Sequence, residues 1–485
     1  MGSYTPIVID LQQVLSYELA PVPLSLANMD GTIRKTVKSA LLKELELDCA
    51  SLTSLPNTCM PENSVFIIDL LGLLQKLKKG KMVTFGDLSD YLIKKITDKF
   101  EHVNVVHVVP DRYDISLSIK AGERARRCTV NSTEIKIKGR DAKLPNSLKH
   151  FLSNSKNKIN LVSFLSTDWC KVFTHILNKD QVLYFAQQDG KTQKITHEGH
   201  DYVDALYSDH EEADSRIFVH CKHFTLSSSG DKRIIISSPD TDVAILCCFH
   251  FAALKVTELW FHTGVGRQTR YVPIHTAFEN LGPVLCKLLP SLHVLSGCDS
   301  TSSLYGIGKI KALSALRKNM DALQHLYMFG NSPTSVDPIC FRDVKQLLGL
   351  FYGESTTDLN HLHYNMFAKK TLDSTKLPPT DDAAILHKKR ANYQCYIWKS
   401  ATTPVLQMPS PVGNGWTTSD DGNLLPKLMS QDPAPETIHE LVICGCTKGC
   451  KTRCSCRQEN LPCTPACKCA DNCTNHDREG EKYDI

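Results

Sequence analysis

Three short β-prone runs that each lead into an acid place the tightest constraint on this chain. Ser64–Leu70 reads Ser-Val-Phe-Ile-Ile-Asp-Leu, Val103–Val109 runs into Pro110-Asp111, and Ile234–Val243 reads Ile-Ile-Ile-Ser-Ser-Pro-Asp-Thr-Asp-Val. Unbroken apolar runs of this length are what a strand covered on both faces of a parallel sheet requires. Helical patterns lie between them. Thr84–Phe100 opens on Thr84 and Asp87 with apolar residues at Phe85, Leu88, Leu92 and Ile96, and further helices are expected over 163–178, from about His210 to His223, and over 274–289. Strands are expected at 181–187 and 258–262. This alternation predicts an α/β fold with a doubly wound, mainly parallel sheet. Ligands bind such a sheet beyond the carboxyl ends of its strands, where Asp69, Asp111, Asp240 and Asp242 fall. On extended backbone Asp240 and Asp242 would project to one side. A divalent cation held between them, or an Asx-type turn built with Pro239, accounts for the pair equally well.

A chain of 485 residues has room for two or three domains of roughly 100 to 200 residues each. Its hydrophobic content of 42% supports a buried core, and a formal charge of +4 permits nucleic-acid partners without requiring them. No apolar run is long enough to span a membrane. Met1–Ala20 lacks the basic, apolar and small-residue regions of a secretory signal. Of 20 cysteines, those from Cys49 to Cys395 are scattered, whereas the rest crowd between Cys444 and Cys473. Reduced thiols in the body and a thiolate cluster at the end are expected of an intracellular protein.

The expected organisation is an extension over 1–60, with a fragment of a longer chain left open; an α/β body over 61–316, carrying a basic insert at 118–158; a helical extension over 317–405; a Pro- and Gly-rich linker over 406–440; a cysteine module over 441–475; and a tail over 476–485. The insert holds Lys120, Arg124, Arg126, Arg127, Lys136, Lys138, Arg140 and Lys143, as either a solvated loop or a phosphate-facing segment.

Read together and in order, these acids carry a resemblance to the flap endonuclease/XPG branch of the PIN-like 5′ nucleases, over Ser64 to Leu316. Val-Phe-Ile-Ile-Asp69 looks like that family's first strand and Val108-Val109-Pro110-Asp111 its Phe-Asp-Gly strand end. Lys120-Ala-Gly-Glu-Arg-Ala-Arg-Arg127 is similar to Lys-Ser-Gly-Glu-x-Ala-x-Arg, Glu212-Ala-Asp214 to Glu-Ala-Glu, Asp240-Thr-Asp242 to Asp-Met-Asp, and Gly297-Cys-Asp299 to Gly-Ser-Asp. Gly306-Ile-Gly308-Lys-Ile-Lys-Ala312 looks like Gly-Ile-Gly-Pro-x-x-Ala of the helix-two-turn-helix. The resemblance implies metal-dependent, structure-selective DNA hydrolysis. Asp69, Asp111, Glu212, Asp214, Asp240, Asp242 and Asp299 would hold two Mg²⁺ or Mn²⁺ ions, and hard ions of this kind do prefer oxygen ligands. Lys120 and Arg127 would approach the scissile phosphate, and Gly306, Gly308, Lys309 and Lys311 would hold a DNA backbone. The chain departs from the family at Leu70, at Pro110, in the shorter Asp214 and in lacking a Met-Gly-Ile start. The alternative is a catalytically inactive DNA- or chromatin-binding protein on the same scaffold. The His-Glu-Glu-Ala-Asp and Ser-Gly-Cys-Asp-Ser-Thr-Ser stretches also resemble multicopy animal proteins similar to mobile-element products.

The terminal run is Cys444-x-Cys446-x3-Cys450-x3-Cys454-x-Cys456-x6-Cys463-x3-Cys467-x-Cys469-x3-Cys473. So short and apolar-poor a segment folds only around metal. Three tetrahedral zinc ions need twelve sulfur contacts, and nine thiolates supply them if three bridge. The spacing resembles the tesmin/TSO1-like CXC domains, which implies DNA tethering; a structural zinc knot is the alternative. DNA as partner, with RNA left open, no membrane, and a nuclear location complete the expectations.

Overall fold

The computed structural model is described for residues 11–47, 49–55, 63–77, 79–115, 117–120, 122–124, 133–369, 373–435, 443–458, 463, 467–469 and 473–475. Two compact units are present. The larger comprises Ile33–Thr357 with Ile385–Lys427, and the smaller comprises Met1–Thr32, Asp358–Ala384 and Leu428–Ile485.

The larger unit begins with helix α1 (Ser39–Glu46), followed by strand β1 (Asn63–Asp69), α2 (Leu70–Gln75), α3 (Phe85–Thr97) and β2 (Val105–Val109). Next come α4 (Ser155–Ile176), β3 (Val182–Ala186), β4 (Thr192–Thr196), β5 (Gly199–Tyr202) and α5 (Ala213–Ser227). The chain continues through β6 (Lys232–Ser237), α6 (Thr241–Leu254), β7 (Glu258–Thr263), β8 (Arg270–Pro273), α7 (Ile274–Leu281), α8 (Pro283–Leu295) and α9 (Lys309–Lys318). The eight strands form one sheet in the order β5-β4-β3-β2-β1-β6-β7-β8. The five central strands are parallel, and the edge strands join through antiparallel pairings, β3 with β4, β4 with β5 and β7 with β8. This is the mainly parallel α/β sheet with flanking helices that the alternation predicts.

Local chemistry explains the element boundaries. Thr84 and Asp87 form a reciprocal capping box that starts α3, satisfying backbone N–H groups that no helical carbonyl reaches. α4 begins earlier than its apolar pattern predicts, because the Asn154 side chain accepts from Lys156 N. The single helix expected over 274–289 is two: Gly282, at φ +79, followed by Pro283, breaks it. The Pro- and Gly-rich stretch after residue 406 contains a two-stranded ribbon, Trp416–Thr418 with Leu424–Pro426, which short strands without periodicity did not announce.

β1 is buried on both faces from Ser64 to Asp69. Phe66, Ile68, Val106, Leu183 and Phe185 pack with Leu88, Leu92, Trp169 and Phe173 from the covering helices. Each such side chain contributes about 1.5–3 kcal/mol by leaving water. Sequence neighbours β1 and β2 lie side by side, but β6 joins the opposite edge of β1. The direction of winding therefore reverses at β1, and a crevice opens beyond the carboxyl ends of β2, β1 and β6.

In the smaller unit, the Glu18 carboxylate accepts from Thr380 N and Oγ1 at 2.8 and 2.9 Å, and Asp382 Oδ2 accepts from Ser430 N and Gln431 N. No helix among the described residues is long and apolar enough to cross a membrane.

Candidate functional site

The crevice collects its acids from strand ends and helix starts. Asp69 ends β1 and caps α2, Oδ1 accepting from Gly72 N at 2.8 Å and Oδ2 from Ser238 Oγ at 2.9 Å. Asp111 follows β2 and accepts from Ala213 N at 2.7 Å, which ties it to the head of α5. Glu212 stands at the N-cap of α5 and Asp214 in its first turn. Asp240 caps α6 through Asp242 N, and Asp242 lies in that helix's first turn. Carboxylates suit helix N-termini because the free N–H groups and the macrodipole are positive there. Asp299 comes from the loop after α8, whose turn needs glycine: Gly297 has φ +102, and a Cβ there would meet Ser303 backbone at 2.7 Å.

Three of these acids, Asp214, Asp240 and Asp242, can bring one carboxylate oxygen each within 4.8 Å of the others. The remaining four are linked to them through shared cations and through one another's fields. Lys120 Nζ lies 2.7 Å from Glu212, 3.5 Å from Asp214 and 3.9 Å from Asp299. Lys38 Nζ lies 3.1 Å from Asp240 and 3.0 Å from both Asp242 and Asp299. Arg124 completes the ring, 2.6 Å from Glu211 and 3.0 Å from Glu212.

The protonation pattern follows from the balance of burial and neighbouring acids against the nearby cations. Burial, with Asp111 next, raises Asp69 to about 7; burial and then Glu212 raise Asp111; burial and then Asp240 hold Asp214 well above the usual range; and burial with Asp242 raises Asp240. Burial pushes Asp242 the same way, but Lys38 and the His293 hydrogen bond hold it well below the carboxylate range. Burial is likewise outweighed at Glu212 by Lys120 and Arg124, and at Asp299 chiefly by Lys120. Several oxygen acids driven up by one another, in one crevice, form a donor set suited to a hard divalent ion.

Four groups in this site are not among the site residues assigned from the sequence. Lys38 belongs to the stretch read as an extension; a cation heading α1, against the helix dipole, was its only local signal. Arg124 is one turn past Lys120; Arg127, expected two turns past it, lies outside the described residues. Glu211 pairs with Arg124. His293, in α8, places Nε2 2.8 Å from Asp242 Oδ1 and its ring against Trp398 at 5.5 Å between centroids. Burial and then Lys309 lower its pKa to about 4, so the neutral ring donates through Nε2 and orients the acid.

The glycine turn before α9 differs from expectation at one residue. Gly306, Gly308 and Lys311 are exposed, but Lys309 is buried, and its ammonium donates to His293 O at 2.7 Å, to Ser296 Oγ at 2.9 Å and to Gly297 O. Its charge stitches α9 to the end of α8 and is not presented to a phosphate.

In the smaller unit the nine terminal cysteines gather their sulfurs. Cys444, Cys450, Cys463 and Cys469; Cys444, Cys456, Cys463 and Cys467; and Cys444, Cys446, Cys450 and Cys454 form three overlapping sets able to hold an ion. Sulfur separations run from 3.5 to 3.9 Å, and Cys473 lies 3.8 Å from Cys450. A thiolate tetrahedron with zinc–sulfur bonds of about 2.3 Å has edges of about 3.8 Å, whereas a disulfide brings its sulfurs to about 2.05 Å. The spacing fits thiolates around shared ions.

No protein-family model matches the chain, and no curated protein matches it. Among solved structures, a flap endonuclease of bacteriophage T5, in a pseudo-enzyme–product complex with DNA and metal ions, is similar over 65% of this chain and 100% of its own, at 11% identity and a TM-score of 0.32. The catalytic core of Rad2 in complex with a DNA substrate is similar over 77% of this chain and 100% of its own, at 11% identity and a TM-score of 0.35. Similarity at this level fixes neither family nor chemistry.

Proposed function

We propose that the larger unit hydrolyses phosphodiester bonds in nucleic acid, DNA above all, with a divalent metal ion held by the acids of the crevice. The observation that supports this reading best is the meeting of Asp214, Asp240 and Asp242 from two helix starts, beside Asp69, Asp111, Glu212 and Asp299 at the switch point of the sheet. Mg²⁺ or Mn²⁺ bound there would supply Lewis acidity toward a phosphoryl oxygen and lower the pKa of bound water. Asp69 and Asp111 line the β1 and β2 side of the crevice and would hold the ion directly or through water. Lys120, released from Glu212, would place its ammonium on a substrate phosphate, and Arg124 would do the same from one turn further on. His293 fixes the rotamer of Asp242.

The terminal cysteine segment of the smaller unit, on this reading, is a zinc-loaded CXC module of the tesmin/TSO1 type that tethers the chain to DNA and places its work in the nucleus. Lys448, Lys451, Arg453 and Lys468, exposed among its cysteines, would contact phosphates.

Cleavage of a labelled flap or single-stranded DNA in Mg²⁺ or Mn²⁺, comparing the zinc-loaded wild type with Asp240→Asn/Asp242→Asn, tests the reading. Metal-dependent cleavage lost in the variant is expected; a folded wild type that cuts neither substrate, nor RNA, would overturn it. A second reading, a non-catalytic nucleic-acid-binding scaffold, draws on Lys38 and Lys120, whose ammonium groups already neutralise part of the acid set.

A further inference from the structure

Tyr113, two residues past Asp111, touches both the acids and the cations of the crevice. Its hydroxyl lies 3.0 Å from Asp111 Oδ2 and 3.2 Å from the ammonium of Lys158, a residue of α4. An ammonium has protons to give and no lone pair to receive one. Lys158 therefore donates to the hydroxyl oxygen, and the single hydroxyl proton goes to Asp111. Donation by a cation polarises the hydroxyl and strengthens it as a donor in its turn. The ring is held as well: the Arg124 guanidinium and the Lys158 ammonium each lie 4.5 Å from its centre. Behind it, Tyr113 N donates to Gln188 Oε1 at 3.0 Å and Gln188 Nε2 donates to Asp111 O at 2.6 Å.

Asp111 carries this anchoring to α5. Its other oxygen, Oδ1, accepts from Ala213 N at 2.7 Å. Ala213 is the first residue of α5, and the N-cap residue, Glu212, makes no capping hydrogen bond with its own side chain; that carboxylate is drawn to Lys120 and Arg124 instead. A helix head needs acceptors for its free N–H groups, and Asp111 supplies one from the end of another element. What fixes Asp111 therefore fixes the first turn of α5, and with it Asp214, whose carboxylate meets those of Asp240 and Asp242.

We propose that Tyr113 is a positioning residue of the metal centre: its hydroxyl holds Asp111 against the head of α5 and so sets where Asp214 stands relative to Asp240 and Asp242. This rests on the metal-centre reading above and deepens it. Tyr113 touches neither ion nor substrate and acts through two hydrogen bonds in series.

Tyr113→Phe keeps the ring, and with it both cation contacts, and removes only the hydroxyl. Ala213→Pro cuts the same series at its far end: proline suits the first helical position after the extended Glu212 and has no N–H to give. Mn²⁺ affinity of the zinc-loaded chain, titrated by electron paramagnetic resonance without nucleic acid, should fall about tenfold in each, in the range expected when a hydrogen bond behind a metal ligand is lost. Amide exchange in Tyr113→Phe should quicken at the head of α5 and not at the head of α6. A merely structural tyrosine would leave the affinity of the folded chain where it was. Wild-type affinity in folded Tyr113→Phe or in folded Ala213→Pro, or an affinity loss in Tyr113→Phe with exchange unchanged at the head of α5, overturns the assignment of Tyr113 and leaves the metal centre standing. Should one variant fail to fold, the other decides. A wild type that binds no Mn²⁺ overturns the metal-centre reading and the assignment together.

Discussion

At the residue scale, the chemistry of the crevice depends on how burial and neighbouring acids are offset at each carboxylate by its cations and hydrogen-bond donors. Asp242 has two partners, Lys38 and His293, and of these His293 acts through its hydrogen bond, which both orients the carboxylate and stabilises its charge. Replacing it with Phe keeps an aromatic ring against Trp398 and removes the donor to Oδ1. Mn²⁺ affinity and cleavage should then fall about 10- to 100-fold, as they do when the hydrogen-bond partner of a metal ligand is lost, whereas His293→Gln should recover part of both. Titration with Mn²⁺ alongside the cleavage assay separates this from a folding defect, and an unchanged affinity in His293→Phe would dismiss the orienting role. A different histidine, one of several buried in the fold, contributes to acid stability. His250 donates to Trp398 O at 2.9 Å, and burial lowers its pKa from 6.5 to about 4. The folded value is depressed, so its contribution is complete above pH 6.5 and is lost as pH falls toward 4, on the order of 3 kcal/mol in all. His250→Gln keeps a donor for the carbonyl but does not titrate. Its denaturation midpoint should fall less steeply than that of the wild type between pH 6.5 and 4, and parallel curves would refute the assignment.

At the element scale, two close approaches set the site. α2 starts directly after β1, and Gly72 in its first turn leaves no space: a Cβ there would meet Pro239 Cδ at 2.3 Å and Asp69 Oδ2 at 2.7 Å. Gly72→Ala must push the Asp69 carboxylate and the segment after β6 apart. A loss of about 1–3 kcal/mol in stability is expected, together with weaker Mn²⁺ binding, which calorimetry reads in one experiment; an alanine variant with wild-type affinity would show that Asp69 is not a ligand. The second approach is α1, whose buried Leu41, Leu42 and Leu45 fix where Lys38 begins. Leu42→Ala should cost about 2–5 kcal/mol and loosen the ammonium from its three carboxylates. Capping boxes and strand burial made β1, β2, β6 and α3 legible beforehand, because local hydrogen bonds and covered faces leave a period in the residues. The Trp416–Thr418 ribbon and the β4–β5 hairpin leave none: their strands are too short and their partners too polar.

At the scale of the whole molecule, the two units offer different metal donors. Hard oxygen donors gather in the larger and soft thiolates in the smaller, a division that would separate Mg²⁺ or Mn²⁺ from zinc without any selectivity device. About three zinc ions per chain are expected by elemental analysis, from the twelve contacts a shared thiolate cluster supplies. Cys450, which lies within 3.8 Å of Cys444, Cys463 and Cys473, is placed to bridge. Cys450→Ser should therefore lower the zinc content more than Cys446→Ser, and equal losses would argue against a shared-thiolate cluster.

The sequence by itself determined the parallel core, the acids at its strand ends and the thiolate cluster, because burial on two faces, helix capping and ligand spacing are all written in neighbouring residues. Only the tertiary structure decided which cations meet those acids. Lys38 reaches Asp240 and Asp242 across some two hundred positions of chain, His293 reaches Asp242 from the last turn of α8, beyond where a helix was expected to end, and Lys309 turns inward where its motif pointed out. An ion pair leaves no period along a chain; its partners are set by how the sheet winds and which helix heads it brings together.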